Sequence, residues 1–512
     1  MSEKVSGMGR LIGWVDARHT IAISAVAAFL LRLPGLTRPI RADEAGFTLV
    51  ARAWDPSPEH LYGPFFVDRP PLLIAIFRGS DDLGGPLFIR VLGALACALL
   101  VVLAAWTARL VADERSARWT AVCVATITST TVIDAVAVKG ELLGLPFVMA
   151  ACALTLLAVR RRSAWLALLA GLAAGTAPHI KQNLVGGLVF AAVLLLASGL
   201  TRVLRPGEVA RLAAAGLVGA SATTVATIAW ALSAGVHLDV LWYDLVGFRS
   251  DAASAIAAGS PDAPVLRAGV LIVAALVSGL LIVVGGFVWH VRELWSADRA
   301  LTAATAALLV TDTLALVYGG SFWRDYLFPL VPGAALAAAL LVTRSDPGGR
   351  RMRAVVLGAA VSALVCLVGW SVLNAAGLQE FHEHDTGVAI EAAAEPGDTL
   401  VVFGGRADLQ LASGLRSPYE HLWSLPMRTL DPDLDDLDTL VAGPDAPTWL
   451  VEWVGFTTWS EDGGARLRRL VEERYDVHGT GCDGRPVYLL RGLERGPVAP
   501  NCGETVMQPI RP

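Results

Sequence analysis

Apolar runs long enough to cross a lipid bilayer recur through the first three quarters of this chain. Of its 512 residues, 54% are hydrophobic and only 17% are charged, whereas a soluble domain usually carries about 25% charged residues. A helix needs about 20 apolar residues to cross the hydrocarbon core, so the runs predict a polytopic α-helical membrane protein with about eleven transmembrane helices. They are predicted at about 20–38, 86–108, 119–137, 142–159, 163–179, 183–201, 212–235, 265–289, 300–318, 326–343 and 354–375.

Basic residues indicate the orientation of these helices. Lys and Arg concentrate on the cytoplasmic side of short connections in membrane proteins. Here they cluster on one side of the predicted helices, at 4–18, 109–118, 160–162, 202–211, 292–299 and 344–353. The N-terminus is therefore predicted to be cytoplasmic, and the odd number of helices places the C-terminal tail outside.

Two adjacent carboxylates, Asp43 and Glu44, follow the first apolar run, in the stretch Arg38-Pro39-Ile40-Arg41-Ala42-Asp43-Glu44-Ala45-Gly46-Phe47. One interpretation is that they cap a surface helix, since acidic side chains favour helix N-termini. The other is that a carboxylate at the water edge of the bilayer meets a substrate carried by a lipid. Both interpretations stay open at this point.

The first outer loop, about 39–85, is long for a simple connection. Residues 45–54 have the apolar spacing of an amphipathic helix lying in the membrane interface. Pro70 and Pro71 then predict the start of a second interfacial helix over 72–77. The loop is predicted to form a floor or lid over a cavity between the helices; the alternative is a peripheral loop held by Pro and Gly.

Charged groups gather on the predicted outer face. They are Asp43, Glu44, Asp68, Arg69, Lys139, Glu141, Lys181 and Arg324. Cations can hold a lipid phosphate and balance charge as it leaves, and a carboxylate can take a proton from an attacking hydroxyl. A transporter would place its charges nearer the bilayer midplane. The pattern favours chemistry at the outer surface, and it contains no metal-ligand spacing and no nucleic-acid motif.

The tail from 379 onward is predicted to be a small extracytoplasmic α/β domain. Short apolar runs at 399–403, 448–453 and 486–490 read as buried strands, and 465–475 reads as an amphipathic helix. Gly404 and Gly405 follow the first strand, where a strand-ending turn is favoured over a phosphate-binding loop. Cys482 and Cys502 could form a disulfide if the tail lies outside the cytoplasm, and the sequence leaves that pairing open.

Several motifs resemble those of the GT-C membrane glycosyltransferases, in particular the superfamily of protein O-mannosyltransferases and lipid A aminoarabinose transferases. An Arg-containing first helix runs into Asp43-Glu44, and Asp68-Arg69-Pro70-Pro71-Leu72 is similar to that superfamily's His-Lys-Pro-Pro-Leu element. Short elements similar to those of uncharacterised actinobacterial members are Gly140-Glu141-Leu142-Leu143, Ile180-Lys181-Gln182-Asn183 and Phe322-Trp323-Arg324-Asp325-Tyr326-Leu327. The resemblance covers about the first 380 residues.

The resemblance implies an inverting transfer of a sugar from a polyprenyl-phosphate donor to an acceptor hydroxyl. Asp43 would be the general base, and Arg69, where the family has Lys, would hold the donor phosphate. Asp68 replaces the family's His, so its role stays open. The remaining expected substrate-binding residues are Glu44, Lys139, Glu141, Lys181, Arg324 and Tyr326. No cofactor is expected, and a divalent metal stays open.

The combined prediction is a GT-C-like enzyme of the cytoplasmic membrane with two domains, a catalytic transmembrane domain at 1–378 and the extracytoplasmic domain at 379–512. Its expected partners are the lipid-linked donor, membrane lipid and a cell-envelope glycan, lipid or protein acceptor, and no nucleic acid. The alternative is a lipid or polysaccharide transporter or assembly protein without catalysis. The tail domain could shape acceptor access, bind glycan or be purely structural.

Overall fold

The computed structural model of the chain describes residues 19–134, 136–259, 262–342, 347–376 and 381–503. The chain forms two compact units. The first comprises Met1–Leu36, Arg90–Ala226 and Pro264–Trp370, and the second comprises Thr37–Ile89, Thr227–Ala263 and Ser371–Pro512. The second unit therefore combines the first outer loop with the tail. The domain boundary predicted at 378 stays a prediction.

The first unit is helical throughout its regular structure. Most of its helices carry apolar side chains on all sides, as expected of helices packed against one another or against lipid. They are α1 (Thr20–Leu30), α4 (Phe88–Val111), α5 (Glu114–Ser129), α6 (Gly140–Arg161), α7 (Ala164–Ile180), α8 (Gly186–Leu200), α9 (Pro206–Ser233), α12 (Asp262–Val277), α13 (Leu280–Trp289), α14 (Val291–Ala297), α15 (Arg299–Tyr318), α16 (Leu330–Val342) and α17 (Pro347–Ala375).

Helices occupy part of each of the eleven predicted transmembrane positions. Within the described residues, six helices are long and apolar enough to cross a membrane, or up to eight if each of two bent pairs counts as one crossing. The chain is thus a multi-pass membrane protein, and the number eleven stays a prediction. The predicted helix at 265–289 is broken at Gly279, which has a φ of 82° that glycine adopts without strain.

Small residues let α7 and α9 pack backbone to backbone. A Cβ atom added to Gly171 would lie 1.9 Å from the carbonyl oxygen of Gly216, and one added to Gly175 would lie 2.3 Å from that of Ala220. Such close approach is typical of helix pairs in membranes. There the hydrophobic effect does not drive helices together, and small residues allow the close van der Waals packing that does.

Arg32, Asp134 and Asp312 stand inside the predicted transmembrane helices, and the sequence predicts that each faces the protein interior or snorkels to the interface. Arg32 is 3% exposed and donates to the carbonyl oxygens of Thr128 and Ala137 at 3.0 and 3.3 Å, which confirms that it faces the protein interior. Asp312, also predicted to face inward, is 2% exposed. Asp134 was expected inside a helix, but α5 ends at Ser129 and Asp134 has a φ of 99°. Its carboxylate accepts hydrogen bonds from the backbone N–H groups of Val136 and Ala137. Such local bonds from an aspartate to nearby backbone compete with helix formation.

The second unit contains helices from the first outer loop and from the segment after α9. Both predicted loop helices exist, as α2 (Ala42–Arg52) and α3 (Pro71–Gly84), the latter starting at the expected proline. The sequence predicts a loop between about 236 and 263, after α9, and this prediction is wrong. The segment forms α10 (Leu238–Trp242), a π-helical turn (Tyr243–Gly247) and α11 (Phe248–Ala257), because its alanines favour helix.

The tail of the second unit folds as a four-stranded sheet between helices. Strands β1 (Leu400–Phe403), β2 (Trp449–Glu452), β3 (Tyr475–Thr480) and β4 (Pro486–Leu490) lie in the order β1-β2-β4-β3. β1 and β2 are parallel, and the other pairs are antiparallel. The helices are α18 (His382–Ala393), α19 (Ala407–Ala412), α20 (Ser424–Leu430), α21 (Asp435–Ala442) and α22 (Glu461–Arg474).

Alternate side chains of β1 build the two hydrophobic cores of this tail. Leu400 and Val402 pack with Ile390 of α18 on one face of the sheet. Val401 and Phe403 pack with α21 and α22 on the other face, as the period of two in a strand requires. The three predicted strands and the helix are confirmed, whereas β3 was missed.

A disulfide joins Cys482 to Cys502, which resolves the pairing that the sequence left open. The predicted turn after β1 is also present. Gly404 and Gly405 have φ values of 114° and 68°, a region that side chains with a Cβ rarely adopt.

Candidate active site

The first turn of α2 gives the two adjacent carboxylates different surroundings. Glu44 is fully buried, and its Oε2 accepts the backbone N–H of Arg41 at 3.1 Å. This is half of a capping box, in which an acidic residue at the third helical position satisfies the N-cap N–H group. The capping interpretation is thus correct for Glu44, and its role in substrate binding stays a prediction. Asp43 is only half-buried.

Trp423 from the tail contacts Asp43. The indole Nε1–H of Trp423 donates to Oδ1 of Asp43 at 3.1 Å, across 380 residues of sequence. The indole ring lies against Gly46 and is 5.6 Å from the Phe47 ring, centroid to centroid. Both residues belong to the second unit, so the tail contributes a direct hydrogen bond to the carboxylate predicted to be the base.

Arg406, which follows the glycine turn, adds a positive charge to the surroundings of Asp43. It pairs with Glu383 and Asp408, each at 2.7 Å. Burial lowers the pKa of Arg406, but Asp408, Glu383 and Asp43 outweigh that effect and raise it. Asp43 is therefore one of the carboxylates that keep Arg406 charged.

Asp68 lies between two arginines. Its Oδ1 accepts from the Arg69 guanidinium at 2.6 Å, and its Oδ2 pairs with Arg249. Two guanidinium groups on one carboxylate leave a net charge of +1, which suits a bound anion. Tyr62 further fixes the segment by donating from its hydroxyl to the backbone carbonyl of Arg69. Arg249 lies in α11, a segment for which the sequence predicted no functional residue.

Phe47 connects the carboxylate and the arginines. Its ring packs edge-on against Phe77 of α3, with centroids 5.2 Å apart, and contacts the indole of Trp423. The guanidinium carbon of Arg69 lies 5.8 Å from the Phe47 ring centroid. The second unit therefore contains Asp43, Trp423, Phe47, Arg69 and the Asp68–Arg249 pair in a chain of contacts.

Four of the predicted residues form a second cluster, in the first unit. Lys181 pairs with the buried Glu141, and its Nζ lies 5.1 Å from the ring centroid of Tyr326. Lys139 lies 3.3 Å from Oδ2 of Asp325. Sequence reasoning missed Asp325, although it stands within the quoted motif. Both lysines thus have carboxylate partners, which offset their charge toward an incoming phosphate.

Arg324 lines a groove of about 280 Å³ in the first unit. The remaining lining is mostly apolar and comes from the turn after α5 and from α12. It comprises Thr131, Val132, Val270, Val273 and Ala274. Nearby, the guanidinium carbon of Arg267 lies 4.5 Å from the Trp323 ring centroid. A cation beside an apolar wall is a combination that matches the head and tail of an anionic lipid.

Sequence reasoning found the charged candidate residues but missed several of their partners. Trp423, Arg249, Asp325 and Arg406 carry no local pattern that marks them, because each reaches its partner through tertiary structure. One signal was present: Gly46 stands inside a helix, where glycine is unfavourable by about 1 kcal/mol and often marks close backbone approach. In the part of the chain that the structure describes, no three His, Cys, Asp or Glu side chains are placed to hold a metal ion.

Comparisons with known proteins bear on the fold. No family model matches the chain and no curated protein matches it. Among solved structures, ArnT from Cupriavidus metallidurans bound to undecaprenyl phosphate aligns with a TM-score of 0.61 at 16% identity, over 93% of this chain and 98% of ArnT. Its apo form aligns with a TM-score of 0.58 at 15% identity, over 94% and 98%. The chain has the GT-C fold.

A second GT-C protein supports this assignment. The apo oligosaccharyltransferase from Archaeoglobus fulgidus aligns with a TM-score of 0.50 at 12% identity, over 94% of this chain and 75% of its own. The same archaeal enzyme, AglB, has been solved with an inhibitory peptide and a dolichol-phosphate. The likeness to ArnT covers the tail as well as the helices, because nearly the full length of both chains is aligned.

Proposed function

We propose that this protein is a membrane glycosyltransferase. It moves a hexosyl or pentosyl group from a polyprenyl-phosphate donor to an acceptor hydroxyl of an envelope glycan, lipid or protein, on the outer face of the cytoplasmic membrane. The proposal is supported by the GT-C fold, by the multi-pass helices, and by solved relatives in fold that carry undecaprenyl phosphate or a dolichol-phosphate.

The observation that carries this proposal is the position of Asp43. It stands in the first turn of the helix that follows the first apolar segment, and it is half-buried while its neighbour Glu44 is engaged in capping. Asp43 acts as the general base. It takes the proton of the acceptor hydroxyl as the acceptor oxygen forms a bond to the anomeric carbon on the face opposite the phosphate. The bond from that carbon to the phosphate oxygen breaks, and polyprenyl phosphate leaves with the electron pair. The configuration at the anomeric carbon inverts.

Arg69 and Arg249 hold the donor phosphate in this proposal. Asp68 binds both guanidinium groups and thereby restricts their rotamers, so less conformational entropy is lost when the phosphate arrives. This gives Asp68 an indirect role through its neighbours. The developing negative charge on the leaving phosphate strengthens the interaction with both arginines during transfer.

The other predicted residues keep proposed roles of their own. Arg324 and the apolar groove that it lines bind an anionic lipid group. Glu141 and Tyr326 bind hydroxyl groups of sugar or acceptor, and Lys139 and Lys181 contact phosphate oxygens while they keep their carboxylate partners. Keeping both pairs avoids leaving a buried carboxylate without a cation, which would be costly.

The test uses the full-length protein in lipid nanodiscs with a panel of polyprenyl-phosphate sugars and extracted envelope glycans. Release of free polyprenyl phosphate is measured for the native chain, for Asp43→Asn and for Asp82→Asn. Asp82 is an exposed aspartate of α3 and serves as the matched control. We expect acceptor-dependent release that falls by at least about a hundredfold in Asp43→Asn and is unchanged in Asp82→Asn.

Two results would contradict the proposal. If Asp43→Asn turned over donor at the native rate, Asp43 would not be the general base. A native chain that turns over no donor on the panel, yet moves labelled lipid or glycan across proteoliposomes, would replace the transferase with a transporter.

A further inference from the structure

Trp423 is held in place by two contacts of its ring and one of its backbone. On α2, a Cβ atom at Gly46 would lie 2.1 Å from Cζ2 of the indole, so the ring rests directly on the helix backbone. Phe47 contacts the ring from the side. On the tail, Trp423 forms an isolated antiparallel bridge with Arg406. A ring with these restraints has few rotamers available, and its N–H direction is fixed as well.

The glycine turn after β1 makes room for this arrangement. A Cβ atom at Gly405 would lie 2.1 Å from the backbone nitrogen of Ser424 and 2.3 Å from the carbonyl carbon of Trp423. Only a glycine therefore permits the turn to approach the Trp423 backbone. The sheet of the tail, through β1 and this turn, thus supports the residue that bonds to Asp43.

We infer that Trp423 is a positioning residue for the general base, and that the tail domain is part of the catalytic apparatus because it carries this residue. The inference rests on the proposed function. An indole N–H can only donate. Its bond to Oδ1 therefore favours the ionised carboxylate, and it fixes the rotamer from which that carboxylate meets the acceptor hydroxyl. Trp423 itself touches no reacting atom in this role.

Packing alone is the competing explanation for Trp423. The indole buries apolar surface against Phe47 and Gly46, and a phenyl ring would retain part of that contact. A packing role depends on the shape of the side chain, whereas a positioning role depends on the N–H group. The two explanations can be separated by a substitution that retains the two-ring shape and removes the N–H.

The decisive variant replaces Trp423 with β-(3-benzothienyl)alanine, in which sulfur occupies the place of the indole N–H. Trp423→Phe is the genetically simpler companion. The matched control is Trp459→Phe in the same tail, whose ring stacks on Phe403 with centroids 5.2 Å apart and which makes no hydrogen bond to any described residue. Full-length protein in nanodiscs is used throughout.

The first readout is the pH profile of kcat/KM for donor turnover. Loss of a hydrogen bond to a charged group predicts a fall of about tenfold to a hundredfold. Without the indole N–H, the ionised form of the Asp43 carboxylate is less favoured, so the acidic limb of the profile moves to higher pH. Charged groups that act on Asp43 include Arg406, which is itself paired with Glu383 and Asp408, and none of these is changed in the variants. A native profile in the benzothienyl variant overturns the inference, as does an equal shift in Trp459→Phe.

The second readout does not depend on turnover. The indole ¹H–¹⁵N signal of Trp423, identified by its loss in Trp423→Phe, is followed against pH. We expect it to shift as Asp43 titrates, and the shift to vanish in Asp43→Asn. If the signal shifts with pH in the same way in Asp43→Asn, the inference is overturned, whatever the activity. A signal that titrates in a native chain without turnover refutes the proposed function and reduces the contact to a structural one.

Discussion

Replacing Gly46 with alanine separates activity from stability in this protein. The added Cβ would lie 2.1 Å from Cζ2 of Trp423 and 2.6 Å from Cε2, so the indole must move by more than about 1 Å to regain ordinary contact at about 3.5 Å. The hydrogen bond to Asp43 is 3.1 Å long. A displacement of that size lengthens or misaligns it beyond useful geometry.

The substitution affects both stability and turnover. Overpacking costs about 1–3 kcal/mol and the lost hydrogen bond to the carboxylate about 1.5–3 kcal/mol, whereas alanine favours the helix over glycine by about 1 kcal/mol, so the net loss of stability is about 1.5–5 kcal/mol. In the protein that stays folded, Asp43 lacks its positioning donor, and we expect turnover to fall by about tenfold or more. Turnover is therefore expressed per folded molecule.

The assay measures donor turnover and thermal unfolding of the same full-length samples in nanodiscs. Gly79→Ala is the control, because Gly79 is an exposed glycine of α3 with no atom near the added Cβ. It should be at least as stable as the native chain and fully active. Combining Gly46→Ala with Trp423→Phe should add little to either change, since both remove one interaction. The reasoning is refuted if Gly46→Ala retains turnover within about twofold of the native rate, a change of less than about 0.5 kcal/mol.

Four further changes have expected outcomes. Arg249→Met should raise the KM for donor by about tenfold, the loss of one charged contact to phosphate. Cys482→Ser with Cys502→Ser opens a loop of sequence separation 20 and should destabilise the tail by about 3 kcal/mol. His421→Gln should make the protein less sensitive to acid, because burial lowers the pKa of His421 to about 4. The unfolded state therefore binds a proton below about pH 6.5, before the folded state does. In the native chain this costs up to about 3 kcal/mol of folding stability as the pH falls to about 4. Glu44→Ala should cost about 1 kcal/mol of stability through the lost cap, with turnover per folded molecule maintained.

Each of these changes has its own control and its own contradicting result. Arg78→Met, an exposed arginine of α3, should leave KM unchanged, and an equal KM in Arg249→Met would argue against the phosphate role. A reductant should lower the unfolding temperature of the native chain and leave the double serine variant unaffected. For His421→Gln, unfolding curves parallel to native ones between pH 6.5 and 4 would contradict the burial argument. A rise in the KM of Glu44→Ala would indicate that Glu44 binds substrate.

Local patterns were sufficient to predict three strands and one helix of the tail and both helices of the first outer loop. The apolar runs at 399–403, 448–453 and 486–490 became β1, β2 and β4. Every residue of β1 and β2 is buried, and a strand buried on both faces needs a continuous apolar run. The strand β3 (Tyr475–Thr480) pairs only with β4. Exposed positions of such an edge strand can be polar, and its sequence carries no apolar run to detect.

The partners of the charged residues could not be predicted in the same way. Lys139 bonds to Asp325 and Lys181 to Glu141, pairs that depend on how helices pack and not on sequence spacing. Arg249 was missed for a different reason, since an Ala/Ser/Gly-rich stretch was interpreted as a loop although alanine favours helix. In both cases the type of residue indicated its chemistry or its secondary structure, whereas its place in the sequence did not reveal which residue it would contact.

Helix geometry explains why only one of two adjacent carboxylates is suited to catalysis. Successive residues of an α-helix are about 100° apart around its axis, so Asp43 and Glu44 cannot face the same way. Glu44 turns into the interior, where its carboxylate must have hydrogen-bond partners, and the N-cap N–H of Arg41 is one. Asp43 points away from that core and receives a donor from the tail instead. The capping and catalytic interpretations of this stretch are therefore compatible, since Glu44 and Asp43 use different sides of the same helical turn.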